Sequence, residues 1–419
     1  MESFRHISNE LCCERVPLRE LVQRFGSPLY VYSQAHLTNQ YRQLDRACRR
    51  LDHMICYAVK ANSNVAVLRV LARLGAGFDI VSAGELMRVI KAGGDASRCV
   101  FSGVGKTRDE IDYALENNIY TFNVECESEL ALINGVALKR GVRAPVSVRV
   151  NPDVDPHTHH YISTGKEESK FGIALDHALD VYRAAARMPG LAIRGVQMHI
   201  GSQITSTTPF VRAVKKVIPL VKAVRALSPG TVQSFDVGGG LGIRYRNENP
   251  PSAVAYASAL VPLLQPLGLK ILMEPGRFIV GNSGVLVTSV LHIKQSPRKK
   301  FVVIDAAMND LIRPALYSSY HEIVPVTRAR SKTIVADVVG PICETGDFFA
   351  QGRKIPAVTA GDLLAVMSAG AYGMTMSSQY NSRPRPAEVL VNGQEYDLIR
   401  SRDTMEELVA GETIPGRLK

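Results

Sequence analysis

The sequence lacks any apolar run long enough to cross a bilayer. Its longest, such as residues 281–291, are broken by polar residues and fall short of the roughly 20 residues a membrane span needs. The first residues, 1–17, carry charges of both signs and no apolar stretch, which argues against a secretory signal. The seven cysteines have no regular spacing, and the one close pair, Cys12 and Cys13, is adjacent. A disulfide framework is therefore not expected, and a reducing cytoplasm is. The formal charge is +11, yet the basic residues are scattered and the densest run is only Arg298-Lys299-Lys300. Without a basic patch, no nucleic-acid partner is expected. A mild positive excess also suits an enzyme for anionic small molecules.

Several motifs are missing as well. There is no G-x-S-x-G elbow and no H-E-x-x-H. Gly105-Lys106-Thr107 fails as a P-loop because Val100 replaces the first glycine. Gly238-Gly239-Gly240-Leu241-Gly242 fails as a dinucleotide fingerprint because Ile243 stands where the last glycine belongs. His157, His159 and His160 cluster without metal-ligand spacing, so no metal is expected.

What is present is a rhythm. Short β-branched runs at 55–60, 77–82, 98–103, 119–124, 146–151, 193–201, 234–239 and 269–274 alternate with stretches of helical spacing. Alternating strand and helix means a parallel sheet. Eight units in this length suit a (β/α)8 barrel of the TIM type, with an open doubly wound sheet as the alternative. Beyond about residue 285 the pattern changes to strands at 285–293, 300–306, 322–326, 333–339, 362–368, 388–391 and 396–400. These read as a β-sandwich or β-barrel. A helix near 17–25 and a strand at 29–32 are expected to join it. Asp403-Thr404-Met405-Glu406 reads as a capping box opening a last short helix. The expected domains are 1–35 with the β domain, 36–284 as the barrel, and 285–419.

Functional side chains of such barrels project from the C-terminal strand ends. The first run ends in Lys60, either a lysine snorkelling to solvent or a reactive amine made nucleophilic by burial. The sixth ends in His199-Ile200-Gly201-Ser202, where a histidine is structural or serves as an acid, a base or a stacking face. The seventh ends in Gly238, Gly239 and Gly240, whose backbone amides can close on an anion. The eighth ends in Glu274-Pro275-Gly276-Arg277, a ligand clamp or a salt-bridged turn. In the strand-rich part, 309–317, 340–347 and 369–373 read as loops that carry polar residues among small ones.

Together these segments resemble the fold-type III pyridoxal-phosphate decarboxylases over roughly residues 28–400. The carriers are Tyr57-Ala58-Val59-Lys60-Ala61-Asn62, His159-His160-Tyr161-Ile162-Ser163-Thr164-Gly165, Ser169-Lys170-Phe171-Gly172 and His199-Ile200-Gly201-Ser202-Gln203. The triple glycine, Glu274-Pro275-Gly276-Arg277, Cys343-Glu344-Thr345-Gly346-Asp347 and Ala371-Tyr372-Gly373 complete the set. The resemblance implies a barrel that binds pyridoxal 5'-phosphate, a β domain, and a homodimer with shared active sites. It implies that Lys60 bonds covalently to the cofactor and that His199 stacks on its ring. Ser202, Gly238, Gly239 and Gly240 would hold the phosphate, with Gly276 and Arg277 helping. Glu274, followed by Pro275, would face the pyridine nitrogen. Arg277, Arg313 and Tyr317 would bind the substrate's far carboxylate and Glu344 its far ammonium. Cys343 would be the acid, and Tyr372 would touch cofactor and substrate. Cys343, Glu344 and Asp347 would reach across from the partner subunit.

A carboxylate at the ring nitrogen favours decarboxylation over racemisation, where an arginine stands. Arginines with a glutamate suit an amino-acid head group at the substrate's far end. The implied reaction is decarboxylation of meso-2,6-diaminopimelate to L-lysine and carbon dioxide, the last step of lysine biosynthesis. The alternatives are a related basic amino-acid or polyamine-precursor decarboxylase and a non-catalytic protein of cofactor homeostasis.

Overall fold

The computed structural model describes residues 3–155, 170–228, 230–328 and 332–418. The chain divides into two compact units, Leu37–Ile279 and residues 1–36 with 280–419. No helix among the described residues is long and apolar enough to cross a membrane. All seven cysteines are free.

The first unit is a closed barrel of eight parallel strands, β1 (His53–Ala58), β2 (Gly77–Ile80), β3 (Cys99–Phe101), β4 (Thr121–Val124), β5 (Ala144–Asn151), β6 (Leu191–Met198), β7 (Ser234–Asp236) and β8 (Lys270–Met273). The strands pair in order around the ring, and β4 pairs with β5 to complete it. This removes the open-sheet alternative. A short extra strand, Ile173–Ala174, lies beside β5.

Helix boundaries follow local chemistry. The helix Ala83–Lys91 is capped by Ser82, whose hydroxyl accepts the Glu85 N–H. Thr107 caps Arg108–Glu116 in a full capping box with Glu110. Each orphan N–H satisfied this way is worth about 1 kcal/mol. Lys106, beside the failed P-loop, is buried and donates to Glu129, Gly103 O and Asn123 O.

One irregularity is stitched from outside the sheet. Ile193 pairs with Val146 and Gly195 with Ser147, so Arg194 is an extra residue on β6. Gly195 is required there, because a Cβ would sit 2.5 Å from Ser234 O. Tyr182 fills the gap in bonding. Its hydroxyl donates to Gly195 O at 2.7 Å and accepts the Val148 N–H at 3.1 Å.

The second unit is a mixed sheet around the long strand Gly284–Gln295. The first part of that strand pairs with Leu29–Ser33 and Leu363–Val366, and its second part with Lys300–Ile304. Leu18 and Leu21 of the helix Leu18–Phe25 pack in one cluster with Leu29, Val31, Val285 and Val389. The strand Phe348–Pro356 and a small sheet of Phe4–Ile7, Glu10–Cys13 and Val16–Pro17 have no counterpart in the sequence reading. The final helix expected after Asp403 does not form. Thr404 and Glu407 exchange capping bonds over a run of turns, while Asp403 binds Arg385, Arg400 and Gln379 instead.

Tyr182→Phe leaves a buried N–H and a buried carbonyl without partners. It is expected to lower stability by about 1–3 kcal/mol. Thermal unfolding checks this, at about 2–4 °C per kcal/mol for a unit of this size.

Candidate active site

Alternate residues of a strand face the same side, and in a closed barrel one side is the interior. Thr121, Asn123 and Glu125 are buried polar residues two apart along β4 and its end, and Ser147, Arg149 and Asn151 repeat this on β5. Gln197, Asp236 and Asp79 continue the layer on β6, β7 and β2. Asn123 and Gln197 both reach Glu274, which follows β8. Neither of their strands neighbours β8, so these bonds cross the interior.

Glu274 is thus held by neutral amides. Its Oε1 accepts from Asn123 Nδ2 at 3.2 Å, and its Oε2 from Gln197 Nε2 at 3.3 Å. Burial first, then the charges of Asp236 and Asp79, hold the carboxyl well above the usual range, and Lys60 works the other way. Burial also pushes Asp236 up to about 6.

Lys60 lies in a short turn, Val59–Ala61, just beyond β1 rather than within it. The turn is pinned by Ala58 N–H donating to Pro275 O and by Tyr57 Oη donating to Asn62 O. Gly276 fits against it because a Cβ would come within 2.9 Å of Ala61. The expectation of a buried amine needs correcting. The Lys60 side chain keeps 38% of its exposure, and its Nζ donates to the fully buried Asp79 at 2.5 Å. A carboxylate at the mouth holds the amine, rather than an apolar wall.

The glycine turn is fixed by close approach. A Cβ on Gly238 would meet Met198 O at 2.3 Å, on Gly239 Glu274 O at 2.1 Å, and on Gly240 Gly201 O at 2.4 Å. Gly238 and Gly240 also have φ of 72° and 105°. Gly239 N–H donates to His199 Nδ1 at 3.1 Å, which leaves the proton of a neutral ring on Nε2. Burial, then the charges of Arg149 and Lys60, hold His199 well below its usual value. Arg277 is buried, donating to Tyr245 Oη at 2.6 Å and to Ser202 Oγ at 3.1 Å. Arg149 lies over Phe171 and pairs with Glu125, which also accepts the Gly172 N–H. That is what Phe171-Gly172 does. His157, His159, His160 and residues 161–165 and 169 fall outside the described residues.

In the second unit three loops are tied together. Met308 N–H donates to Asp347, Asn309 bonds with Ser378, and Cys343 N–H donates to Asn381. Arg313 opens the short helix Arg313–Tyr317, is buried, and donates to His321 Nε2 at 2.9 Å. His321 in turn bonds Met367 O. Tyr317 and Tyr372 are half-buried, and Tyr372 has φ of 57°. Cys343 and Glu344 are exposed, and Glu344 bonds the Tyr380 hydroxyl, which raises that phenol's pKa. Asp347 does not fit the role of reaching out. Its carboxylate is buried and accepts the N–H groups of Met308 and Ile342 in its own unit.

Residues 34–281 match the family described as pyridoxal-dependent decarboxylase, pyridoxal binding domain. The chain belongs to the pyridoxal-dependent decarboxylases. Among relatives of this decarboxylase, the diaminopimelate decarboxylase of Pseudomonas aeruginosa is 52% identical over 99% of each chain. The crystal structure of diaminopimelate decarboxylase from M. jannaschii in complex with L-lysine superposes with a TM-score of 0.95 at 36% identity, covering 100% of this chain and 99% of that one. The enzyme of that name from Helicobacter pylori, also with L-lysine, gives 0.90 at 41% identity, covering 94% and 98%.

The cofactor of this decarboxylase is pyridoxal phosphate, and the barrel's residues fit it. An amine stands at the mouth, an acid lies buried at the floor, and the glycine turn leaves no room for side chains. Asp79, Asn123, Gln197, Tyr245 and Asp236 escaped the sequence reading as site residues. For the first three and Asp236 the signal was a polar residue at the inward register of an apolar strand; Tyr245 lies in a bend beyond the glycine turn and carried no such signal.

Gly239→Ala is expected to strain the turn by about 1–3 kcal/mol. Cofactor retention measured by absorbance should fall with it. A pH effect is expected from Asp310, whose carboxyl burial pushes up to about 7. Unfolded, it titrates near about 3.9. The folded chain therefore keeps a proton that the unfolded chain loses, and this group's contribution to stability falls as pH rises from about 4 to 7. Asp310→Asn should raise the melting temperature more at pH 8 than at pH 4.

Proposed function

We propose that this chain is a diaminopimelate decarboxylase, a carboxy-lyase that converts meso-2,6-diaminopimelate to L-lysine and carbon dioxide. The observation that carries the reading is Lys60 at the mouth of a barrel whose floor is Glu274, in a chain 52% identical over its length to an enzyme of that name. Pyridoxal phosphate, when bound, supplies an electron-withdrawing ring that accepts the electron pair left behind as carbon dioxide departs.

Each residue then has a task. Lys60 supplies the amine for the covalent bond, and Asp79 orients it. Glu274 keeps the ring nitrogen charged. Ser202, Gly238, Gly239 and Gly240 hold the phosphate with hydrogen bonds to amides and a hydroxyl, and Arg277 backs Ser202. His199, a neutral flat ring, stacks on the cofactor. Arg277, Arg313 and Tyr317 take the far carboxylate and Glu344 the far ammonium. Cys343 returns a proton to the carbon that lost its carboxylate, and Tyr372 closes on cofactor and substrate. Cys343 and Glu344 serve the partner subunit of a cytoplasmic homodimer.

Purified, cofactor-loaded protein is expected to release carbon dioxide from meso-diaminopimelate and to form lysine. Lys60→Ala should lose both turnover and the borohydride-trapped adduct. Retention of either would overturn the reading. Cys343→Ala should lower kcat by about 10²–10⁴-fold, the usual worth of a positioned acid. Arg313→Ala should raise KM for diaminopimelate by roughly 10–100-fold, as expected for a charged hydrogen bond. Ornithine turnover that survives Arg313→Ala while diaminopimelate turnover is lost would point instead to a polyamine-precursor decarboxylase.

A further inference from the structure

The inward polar layer at the strand ends holds more acid than it has cations to balance. Asp79, Asp236 and Glu274 are all buried, at 0%, 2% and 5% exposure. Lys60 is paired with Asp79 at 2.5 Å. The other titratable groups that face Asp236 and Glu274 are Cys56, Tyr256 and His199. Burial keeps each of these in its neutral form. Arg149, the other buried cation of this layer, is already paired with Glu125, which leaves Lys60 as the cation beside these three carboxyl groups.

Hydrogen-bond donors are short as well. Glu274 receives only amide hydrogens, from Asn123 and Gln197. Asp236 Oδ1 accepts the Gly238 N–H at 2.8 Å and the Asn123 amide acts on the carboxyl, while among the described residues its buried Oδ2 is left without a well-placed donor. Yet Asp236 and Glu274 are neighbours. Asp236 pairs with Leu272 on the adjacent strand, Glu274 follows two residues later, its N–H donates to Gly238 O, and each carboxyl opposes the charge of the other. Two buried carboxylates this close repel. One proton between them turns the contact into a short charge-assisted bond and removes one buried charge.

We propose that Asp236 and Glu274 share a single proton in the unloaded chain, and that Asp236 is the positioning residue that keeps it on Glu274 for the cofactor's ring nitrogen. The proposal rests on the reading in which Glu274 faces that nitrogen. The transfer balances without any further reactant. The O–H bond of Glu274 breaks and its electron pair stays on oxygen. The nitrogen lone pair forms the N–H bond, and the new cation replaces the lost proton as Glu274's partner. The glycine turn is tied to the same device, because Asp236 also fixes Gly238.

The test is infrared difference spectroscopy on the full-length chain stripped of cofactor, at neutral pH. A protonated-carboxyl C=O band is expected in the wild type and is expected to be lost in both Asp236→Asn and Glu274→Gln. Asp310 and Glu85, both pushed up to about 7 by burial, are common to all three chains and cancel in the differences. Adding pyridoxal phosphate to the wild type should remove the same band, a result that needs no variant. Calorimetry in buffers of different ionisation enthalpy should show Asp236→Asn drawing one more proton from solution on cofactor binding than the wild type does. No band in the unloaded wild type, a band unchanged by Asp236→Asn, or equal proton uptake would each overturn the proposal. The band is read before any cofactor is present. A chain that shows it but forms no Lys60 adduct supports the shared proton and counts against the functional reading alone.

Discussion

A carboxyl group buried among other carboxyls is unfavourable unless its surroundings are arranged for it, and the upper barrel is arranged around Glu274. Asn123 and Gln197 spend buried strand positions on neutral donors. Elsewhere, Met54, Cys56, Val100 and Leu272 form an ordinary apolar cluster. The interior is therefore not uniform. Apolar side chains hold part of the barrel together, and a polar layer nearer the strand ends gives up part of that cohesion to hold one acid in a defined state.

The same constraint reaches the backbone. Glu274 O lies where a Cβ on Gly239 would stand, and Gly238 accepts the Glu274 N–H through its own carbonyl. The acid and the glycine turn are thus one packed unit. His199 belongs to it too, since its Nδ1 takes the Gly239 N–H. Floor, turn and imidazole are positioned by strand ends rather than by free loops, and such placement gives a site its precision.

Much of this was legible in the sequence. All eight runs became barrel strands within a few residues, because β-branched runs between helical stretches leave few alternatives. Lys60, His199, the glycines and Glu274 were visible because each closes such a run. The residues that support them were hidden in plain sight. Asp79 in Gly-Phe-Asp-Ile and Asn123 in Thr-Phe-Asn-Val look like blemishes in apolar strands. Only barrel closure tells which face is inward and which strands oppose across the interior, and closure is a long-range property. Lys60 shows a second limit. Its strand position was readable, but the choice between an apolar wall and a carboxylate beside it depended on Asp79, 19 residues away. Asp403 shows a third. A capping pattern helps only a helix with an apolar face to bury, and 405–411 is largely exposed, so its turns stay turns.

The loops of the second unit obey a different logic. Arg313 is buried, yet it is held through a chain of two bonds, to His321 and from there to Met367 O. Asp347 spends both carboxylate oxygens on the backbone of its own loops, leaving Cys343 and Glu344 exposed at the turn it anchors. Buried polar residues thus fix the loops, and exposed neighbours are left for recognition. That division suits a fold in which one chemistry serves many substrates. The strand-end acid, amine and glycine turn are mutually constrained and cannot change singly, whereas a loop fixed by one anchoring carboxylate can exchange its exposed residues without disturbing its fold. On the proposed reading, the choice of a doubly headed amino acid over a simple amine therefore lies in the loops, while the choice of decarboxylation lies in the barrel.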